Sequence, residues 1–295
     1  MELRVLKYFL MVAREENFTR AAEKLHLSQP TLSRQLREME EFYGKELFIR
    51  QPRRVTLTED GLLLKKRAEE ILSLVAKTEN ELSADAGTLS GDIRIGSAES
   101  VHFHFIADID KKIHLQYPQV HFHVVSGDSL TTMSLLDKGL VDFVFCYGEN
   151  DPAKYQSLPL PARDTWGVIM PKASPLASKP FIVPEDLHDK PLILSRQAMS
   201  ESTHADPVKG WLQKPLSEMN IVASYNLLIN GSMLIRAGLG YALAFEHLLP
   251  MDEELCFRPL KPAIYAEPLL IWKKEHYFSK AAQYFLHSLK AAFTS

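Results

Sequence analysis

Five hydrogen-bonding side chains fall close together near the N-terminus: Gln29, Thr31, Ser33, Arg34 and Arg37. None is a nucleophile set beside a base. They are the short or forked groups that read base edges in a DNA major groove, with arginine bidentate to guanine, glutamine to adenine and a threonine methyl against thymine. Further on, Arg50, Arg53 and Arg54 bracket a proline-containing turn, and arginines on such a tip suit phosphate or minor-groove contact. Both groups need a scaffold that presents them on one face.

The flanking pattern predicts that scaffold. Leu3, Leu6, Phe9, Leu10 and Ala13 recur at helical spacing and predict an amphipathic first helix. Asn17-Phe18-Thr19 interrupts it, with Thr19 the expected N-cap of a second helix over residues 20–25. After a turn at His26-Leu27, Ser28 caps a third helix with Pro30 in its first turn. Leu32, Leu36 and Met39 form its inner stripe, and Gly44 ends it. Two helices about a tight turn, the second polar on its outer face, predict a helix-turn-helix. Residues 47–50 and 55–57 read as short strands around Gln51-Pro52-Arg53-Arg54, which adds a wing. Phe18 is expected to pack rather than to do chemistry.

The stretch FTRAAEKLHLSQPTLSRQLREMEEFYGKELFIRQPRRVTLTEDG resembles the N-terminal signature of LysR-type transcriptional regulators. The likeness lies in the A-A-x-x-L-H-L-S-Q-P-T-L-S-R-Q core, the L-F-x-R strand and the closing L-T-x-x-G. It implies a dimeric DNA-binding regulator whose body senses a small molecule. It also implies that Gln29, Pro30, Ser33, Arg34 and the wing residue Arg53 lie against operator DNA.

Charge is distributed to match. The chain of 295 residues carries 34 Lys+Arg and 37 Asp+Glu, a net −3 that argues on its face against nucleic acid. Residues 1–58 alone hold 11 basic and 8 acidic side chains, a net +3, which leaves −6 for the rest. A small basic module on a larger acidic body is the asymmetry expected of a DNA reader joined to a part that has no reason to touch phosphate.

Thr58 is placed to cap a connecting helix with Glu59 and Asp60 in its first turn, favourable against the helix dipole. Leu64, Ala68, Ile71, Val75, Thr78 and Leu82 then form a heptad seam, expected to pair with a second copy of the chain, the alternative being an amphipathic helix that packs on its own domain. The polar Thr78 weakens the seam, so a further self-contact is expected. The helix exits into Ala84-Asp85-Ala86-Gly87. The family resemblance implies the same arrangement, with the paired helices setting the spacing of two DNA half-sites.

From Gly91 strands and helices alternate, predicting an α/β body with a parallel sheet and two similar lobes. The expected division is a winged helix-turn-helix over 1–58, a linker helix over 59–88 and an effector-binding domain over 91–295. Within that domain, lobe I takes 91–161 and 267–295, and lobe II takes 162–266. G-D-I-R-I-G-S, Y-P-x-V, L-x-x-G-x-V-D and Arg236-Ala237-Gly238-Leu239-Gly240-Tyr241-Ala242 resemble the effector domain of the same family, which implies type 2 periplasmic-binding-protein architecture. Phe245-Glu246 departs from it, standing where a proline commonly follows the strand.

Ligands of open α/β sheets sit beyond the carboxyl ends of strands, near helix N-termini. That rule nominates Ser97, Ser100, Val101, Ser126, Gly127 and Ser129 on one lobe, and Ser195, Arg196, Asn226 and Phe245 on the other. Serines at helix starts serve equally well as caps. Arg196 can anchor an effector carboxylate or form an ion pair.

Other chemistry is weakly signalled. His102, His104, His121 and His123 lack a cysteine or paired carboxylate to complete a tetrahedral set, so no metal is expected. Two cysteines cannot make a disulfide framework. Cys146 ends an apolar strand and is expected to be buried, and a redox pair with Cys256 would require the two to meet. There is no G-x-S-x-G elbow, glycine-rich phosphate loop, H-E-x-x-H or strand-following G-x-G-x-x-G. No enzyme activity and no cofactor are expected. An enzyme with an appended DNA-binding module, or a regulator that has lost its effector response, are the alternatives. No signal-peptide core or membrane-length apolar run is visible, so a cytoplasmic location is expected. The expected partners are double-stranded operator DNA, a small effector (an anionic one among the options), a second or further copies as dimer or tetramer, and RNA polymerase.

Overall fold

In the computed structural model, which describes residues 2–51, 54–83, 89–148, 150–199, 207–249 and 252–293, the basic N-terminal segment folds around four helices. Helix α1 (Leu3–Glu15) buries Val5, Leu6, Phe9 and Val12. Its inner stripe is therefore rotated from the expected one: Leu3 is exposed and Val5 and Val12 take the core positions. Helix α2 (Phe18–Lys24) starts two residues earlier than Thr19 would allow, because Asn17 is the N-cap, its side chain accepting from Arg20 N. That start drives Phe18 into the core against Phe48, at 5.6 Å between ring centroids. Helix α3 (Gln29–Tyr43) is capped by Ser28, buries Leu32, Leu36 and Met39, and stops at Gly44 with φ 62°, a conformation that glycine adopts without strain.

Strands β1 (Phe48–Arg50) and β2 (Val55–Leu57) pair antiparallel, Ile49 opposite Thr56. Helix α4 (Glu59–Ser83) follows, with Thr58 Oγ1 accepting from Gly61 N at 3.0 Å and donating to Glu46 O at 2.7 Å. A Cβ on Gly61 would stand 2.2 Å from Leu47 O, so only glycine lets α4 approach the wing this closely. The expected seam divides in two. Leu64, Ala68 and Ile71 pack on the core of this same unit, whereas Thr78 is exposed and Leu82 is 82% exposed. Residues 84–88, with the exit Ala84-Asp85-Ala86-Gly87, lie outside the described residues.

The chain divides into two compact units, Met1–Ser83 and Ala84–Ser295. The second unit holds two sheets. The first has the order β4-β3-β5-β13-β6, from β3 (Gly91–Ser97), β4 (Val120–Ser126), β5 (Phe143–Tyr147), β6 (Tyr155–Pro159) and β13 (Pro268–Lys273). Helices α5 (His104–Gln116), α6 (Ser129–Asp137) and α10 (Lys280–Phe293) accompany it. Ile93, Ile95, Phe143, Phe145, Leu270 and Phe285 are fully buried between these layers.

The second sheet has the order β11-β7-β10-β8-β9, from β7 (Asp164–Pro171), β8 (Leu192–Ser195), β9 (Ile221–Tyr225), β10 (Tyr241–Phe245) and β11 (Leu255–Pro259). The short β12 (Tyr265–Ala266) joins the edge of β7. Helices α7 (Arg196–Met199), α8 (Pro207–Leu212) and α9 (Leu228–Arg236) complete this lobe. α8 begins at Pro207, the first described residue after 200–206.

The sheets are mixed rather than parallel. β3 runs parallel to β4 and β5, and β8 parallel to β9 and β10, but β13, β7 and β11 run antiparallel to their neighbours. The cause is the double crossing between lobes. The chain leaves lobe I into β7 and returns through β12, and these two passages pair with each other, Thr165 opposite Tyr265 and Asp164 opposite Ala266. A strand that enters a sheet from the partner lobe arrives from the opposite end. β6 and β11 are short and end on proline, β12 has only two residues, and none of the three had a sequence signal.

Candidate functional site

On the first unit, α3 presents Gln29, Pro30, Thr31, Arg34 and Arg37 to solvent, with Ser33 half-buried beside them. Pro30 lies in the first turn, where its missing N–H is no loss. Ser28 Oγ accepts from Thr31 N at 3.3 Å, which fixes the turn that aims this face. Arg34 Nε stands 3.8 Å from Glu38 Oε1 with a side chain 71% exposed, a loose ion pair of the kind that holds little energy.

Two of the wing arginines are held by carboxylates. Arg50 donates to Glu40 Oε2 at 2.9 Å and lies 5.1 Å over the Phe18 ring. The other Glu40 oxygen accepts from Leu47 N and Phe48 N, so one side chain of α3 positions the whole first wing strand. Arg54 makes a bidentate pair with Glu16, at 2.7 and 3.1 Å. Each shifts the other: the bonds from Arg54 hold Glu16 below its usual range, and those to Glu16 raise Arg54. Arg53 lies outside the described residues. Glu16 and Glu40 had no signal in sequence, because a glutamate near a helix end reads as a solvated charge.

In the second unit a cleft of about 620 Å3 opens between the lobes. Ser129, Ser195, Asn226 and Phe245 line it, as does Gly127. Five nominated residues do not. Ser97 is buried and donates to Ala98 O at 2.8 Å, turned into the fold by its own strand end. Ser100 caps the short turn before α5, accepting from His102 N at 2.9 Å and donating to Asp164 Oδ2 at 3.3 Å. Val101 and Ser126 are exposed away from the lining. Arg196 lines an adjoining groove and its fork is engaged: Nε and Nη2 each donate to Asp128 at 2.8 Å, and Nη2 also reaches Thr131 Oγ1 at 2.9 Å. Of the two roles open to it, this is the ion pair.

That pair joins the lobes, and two other contacts do the same. Asp128 N-caps α6, accepting from Thr131 N at 2.9 Å. Burial pushes its carboxyl up, but the bonds from Thr131 and the Arg196 guanidinium outweigh burial and hold it below the ordinary aspartate range. Glu99 of lobe I accepts from Leu228 N and so occupies the N-terminus of α9 in lobe II. Asp164, buried on the crossing strand, accepts a short hydrogen bond from Tyr147 and faces His102 Nε2 at 3.5 Å. The Tyr147 hydroxyl is pushed up by burial and by that carboxylate.

The cleft floor is aromatic. Phe245 is flanked by Tyr147 at 4.6 Å and Trp166 at 4.4 Å between ring centroids. The Trp166 Nε1 donor is buried without a partner among the described residues. Phe245 fills the place where a proline was the expected residue.

The histidines do not converge. His123 pairs with Asp92 at 3.3 Å, and no group of three or more metal-ligating side chains forms among the described residues. Cys146 is buried on β5, its thiol pushed up to about 12 by burial, while Cys256 sits on β11 of the other sheet. No helix among the described residues is long and apolar enough to cross a membrane.

A winged helix-turn-helix on one unit and a two-lobed ligand cleft on the other define a ligand-responsive DNA-binding regulator. Residues 3–62 match the bacterial regulatory helix-turn-helix protein, lysR family, and residues 86–294 match the LysR substrate binding domain. The chain belongs to the LysR family of transcriptional regulators. It is 31% identical over 284 residues to the Hca operon transcriptional activator HcaR of Escherichia coli (strain K12), covering 93% of this chain and 92% of that protein. It is 26% identical over 285 residues to the regulator YfeR of Shigella flexneri, covering 95% and 91%. Its fold matches that of CbnR, a LysR family transcriptional regulator, at 18% identity and a TM-score of 0.75 over the full length of both chains. CbnR complexed with its target DNA matches at 19% identity and a TM-score of 0.73, covering 99% of this chain and all of the other.

Proposed function

We propose that α3 reads operator sequence through Gln29, Thr31, Ser33, Arg34 and Arg37, with Pro30 close to the backbone. Arg50, Arg53 and Arg54 on the wing contact phosphate or the minor groove. Residues 1–58 are the reader, 59–88 the pairing linker and 91–295 the sensor. The exposed outer half of α4, with Leu74 and Leu82, pairs with a second copy in a dimer that can assemble further into a tetramer.

A small effector binds between the lobes. It acts by favouring one quaternary arrangement over another, since a ligand of equal affinity for both would shift nothing. Changed DNA bending or recruitment of RNA polymerase is the output. The observation that carries the reading is the pairing of a solvent-facing polar α3 with a cleft lined from two lobes. We place the protein in the cytoplasm and assign it no catalytic activity. A genome-wide map of DNA bound by the full chain, repeated with Arg34→Ala, tests this: discrete sites that the variant loses support it, and uniform occupancy by both chains overturns it.

A further inference from the structure

Granted that the inter-lobe cleft is the effector site, we propose that it takes a cationic, amine-bearing ligand with an aromatic or similarly flat apolar part. Among the described residues that line the cleft there are three carboxylates, Glu99, Asp128 and Glu267, and no lysine, arginine or histidine. Arg196, in the adjoining groove, balances Asp128 alone. Glu99 is met by a backbone N–H, not a cation, and Glu267 stands exposed at the lobe crossing. Among the described residues the lining is therefore net acidic, with Arg163, 4.3 Å over the ring of the lining Tyr265, the cation beside it.

The helix ends point the same way. An acidic ligand would normally be received at a helix N-terminus, where free N–H groups and the dipole favour an anion. Here the two longer helices that begin at the cleft already hold the protein's own carboxylates, Asp128 on α6 and Glu99 on α9, and the short α7 is closed by Ser195 Oγ, which accepts from Ala198 N. An acidic effector would have to displace them and then lie beside them. A cation meets the opposite balance: carboxylates at the rim, and below them the faces of Tyr147, Phe245 and Trp166, whose quadrupoles attract positive charge.

Phenethylamine, 2-phenylethanol and 3-phenylpropionate share one skeleton and differ in charge. Titrated at millimolar concentration into the full-length chain, with thermal unfolding and calorimetry as readouts, the amine is expected to bind about tenfold more tightly than the acid, with the alcohol between. Glu267→Lys, a surface change that leaves folding intact, is expected to weaken the amine severalfold and to spare the alcohol. Phe245→Leu is expected to weaken all three. If the acid binds best and Arg196→Met abolishes it, the cleft reading stands and the proposal falls. If binding ignores Phe245→Leu and Glu267→Lys alike, the cleft reading itself falls. Failure of the amine to bind at all also overturns the proposal.

Discussion

Asp128 and Arg196 close a two-pronged ion pair across the inter-lobe cleft, with the carboxylate almost wholly buried and the guanidinium half exposed. Asp128 sits below its ordinary range, so in mildly acid solution the folded chain binds fewer protons there than the unfolded one. The pair's contribution is full above roughly pH 4 and is lost as pH falls through the folded value. Because Arg196 is solvent-facing, Arg196→Met is expected to cost only about 1 kcal/mol at pH 7. Urea unfolding of both chains should show that gap shrinking toward pH 3. A gap constant with pH would refute the assignment.

Arg34 carries only a loose pair with Glu38, so it can turn to a base edge at little cost. Arg34→Ala is expected to weaken operator binding by about 1–3 kcal/mol and random DNA by much less. Fluorescence anisotropy on both duplexes measures this. Equal loss on the two would mean that Arg34 contacts phosphate only.

For Arg53 the expectation is the reverse. Arg53→Ala should lower affinity on every sequence, and the slope of log K against log salt should fall by about one. An unchanged slope would remove Arg53 from the phosphate contacts.

Gly61→Ala introduces a Cβ 2.2 Å from a backbone oxygen that cannot swing aside. Destabilisation of about 1–3 kcal/mol is expected for the first unit, read by thermal unfolding of the full chain. Wild-type stability would show that wing and helix are free to separate.

Asp110 on α5 is pushed up to about 7 by burial, with Oδ1 lacking a partner among the described residues. Its folded value exceeds its unfolded one, so stability falls as pH rises from about 4 to 7 and is level above that. Asp110→Asn should be the more stable chain at pH 8 and match wild type below pH 4. Chemical denaturation across that range decides it, and identical pH profiles would count against a buried, protonated Asp110.

The reading head was legible because its determinants are local. Ser28, Pro30 and Gly44 punctuate one helix, and Leu32, Leu36 and Met39 mark its inner side within twelve residues of each other. Asn17 and Thr19 are both able to cap, and only the burial of Phe18 chooses between them. The mixed sheets were not legible, since the direction of β7 follows from a crossing that pairs Asp164 with Ala266, about a hundred residues apart. The cleft was half legible for the same reason. Strand ends pointed to Ser129, Ser195, Asn226 and Phe245, whereas Ser100 was claimed by Asp164 and Arg196 by Asp128 through long-range contacts. Glu99 went unmarked because its partner is a backbone N–H of the other lobe.

The close approach of Gly61 to Leu47, reinforced by Thr58, braces the wing against the first turn of α4. At 25 residues α4 is about 37 Å long, so a tilt of about 5° sweeps its far end through roughly 3 Å. That stroke is close to the rise of about 3.4 Å between neighbouring base pairs.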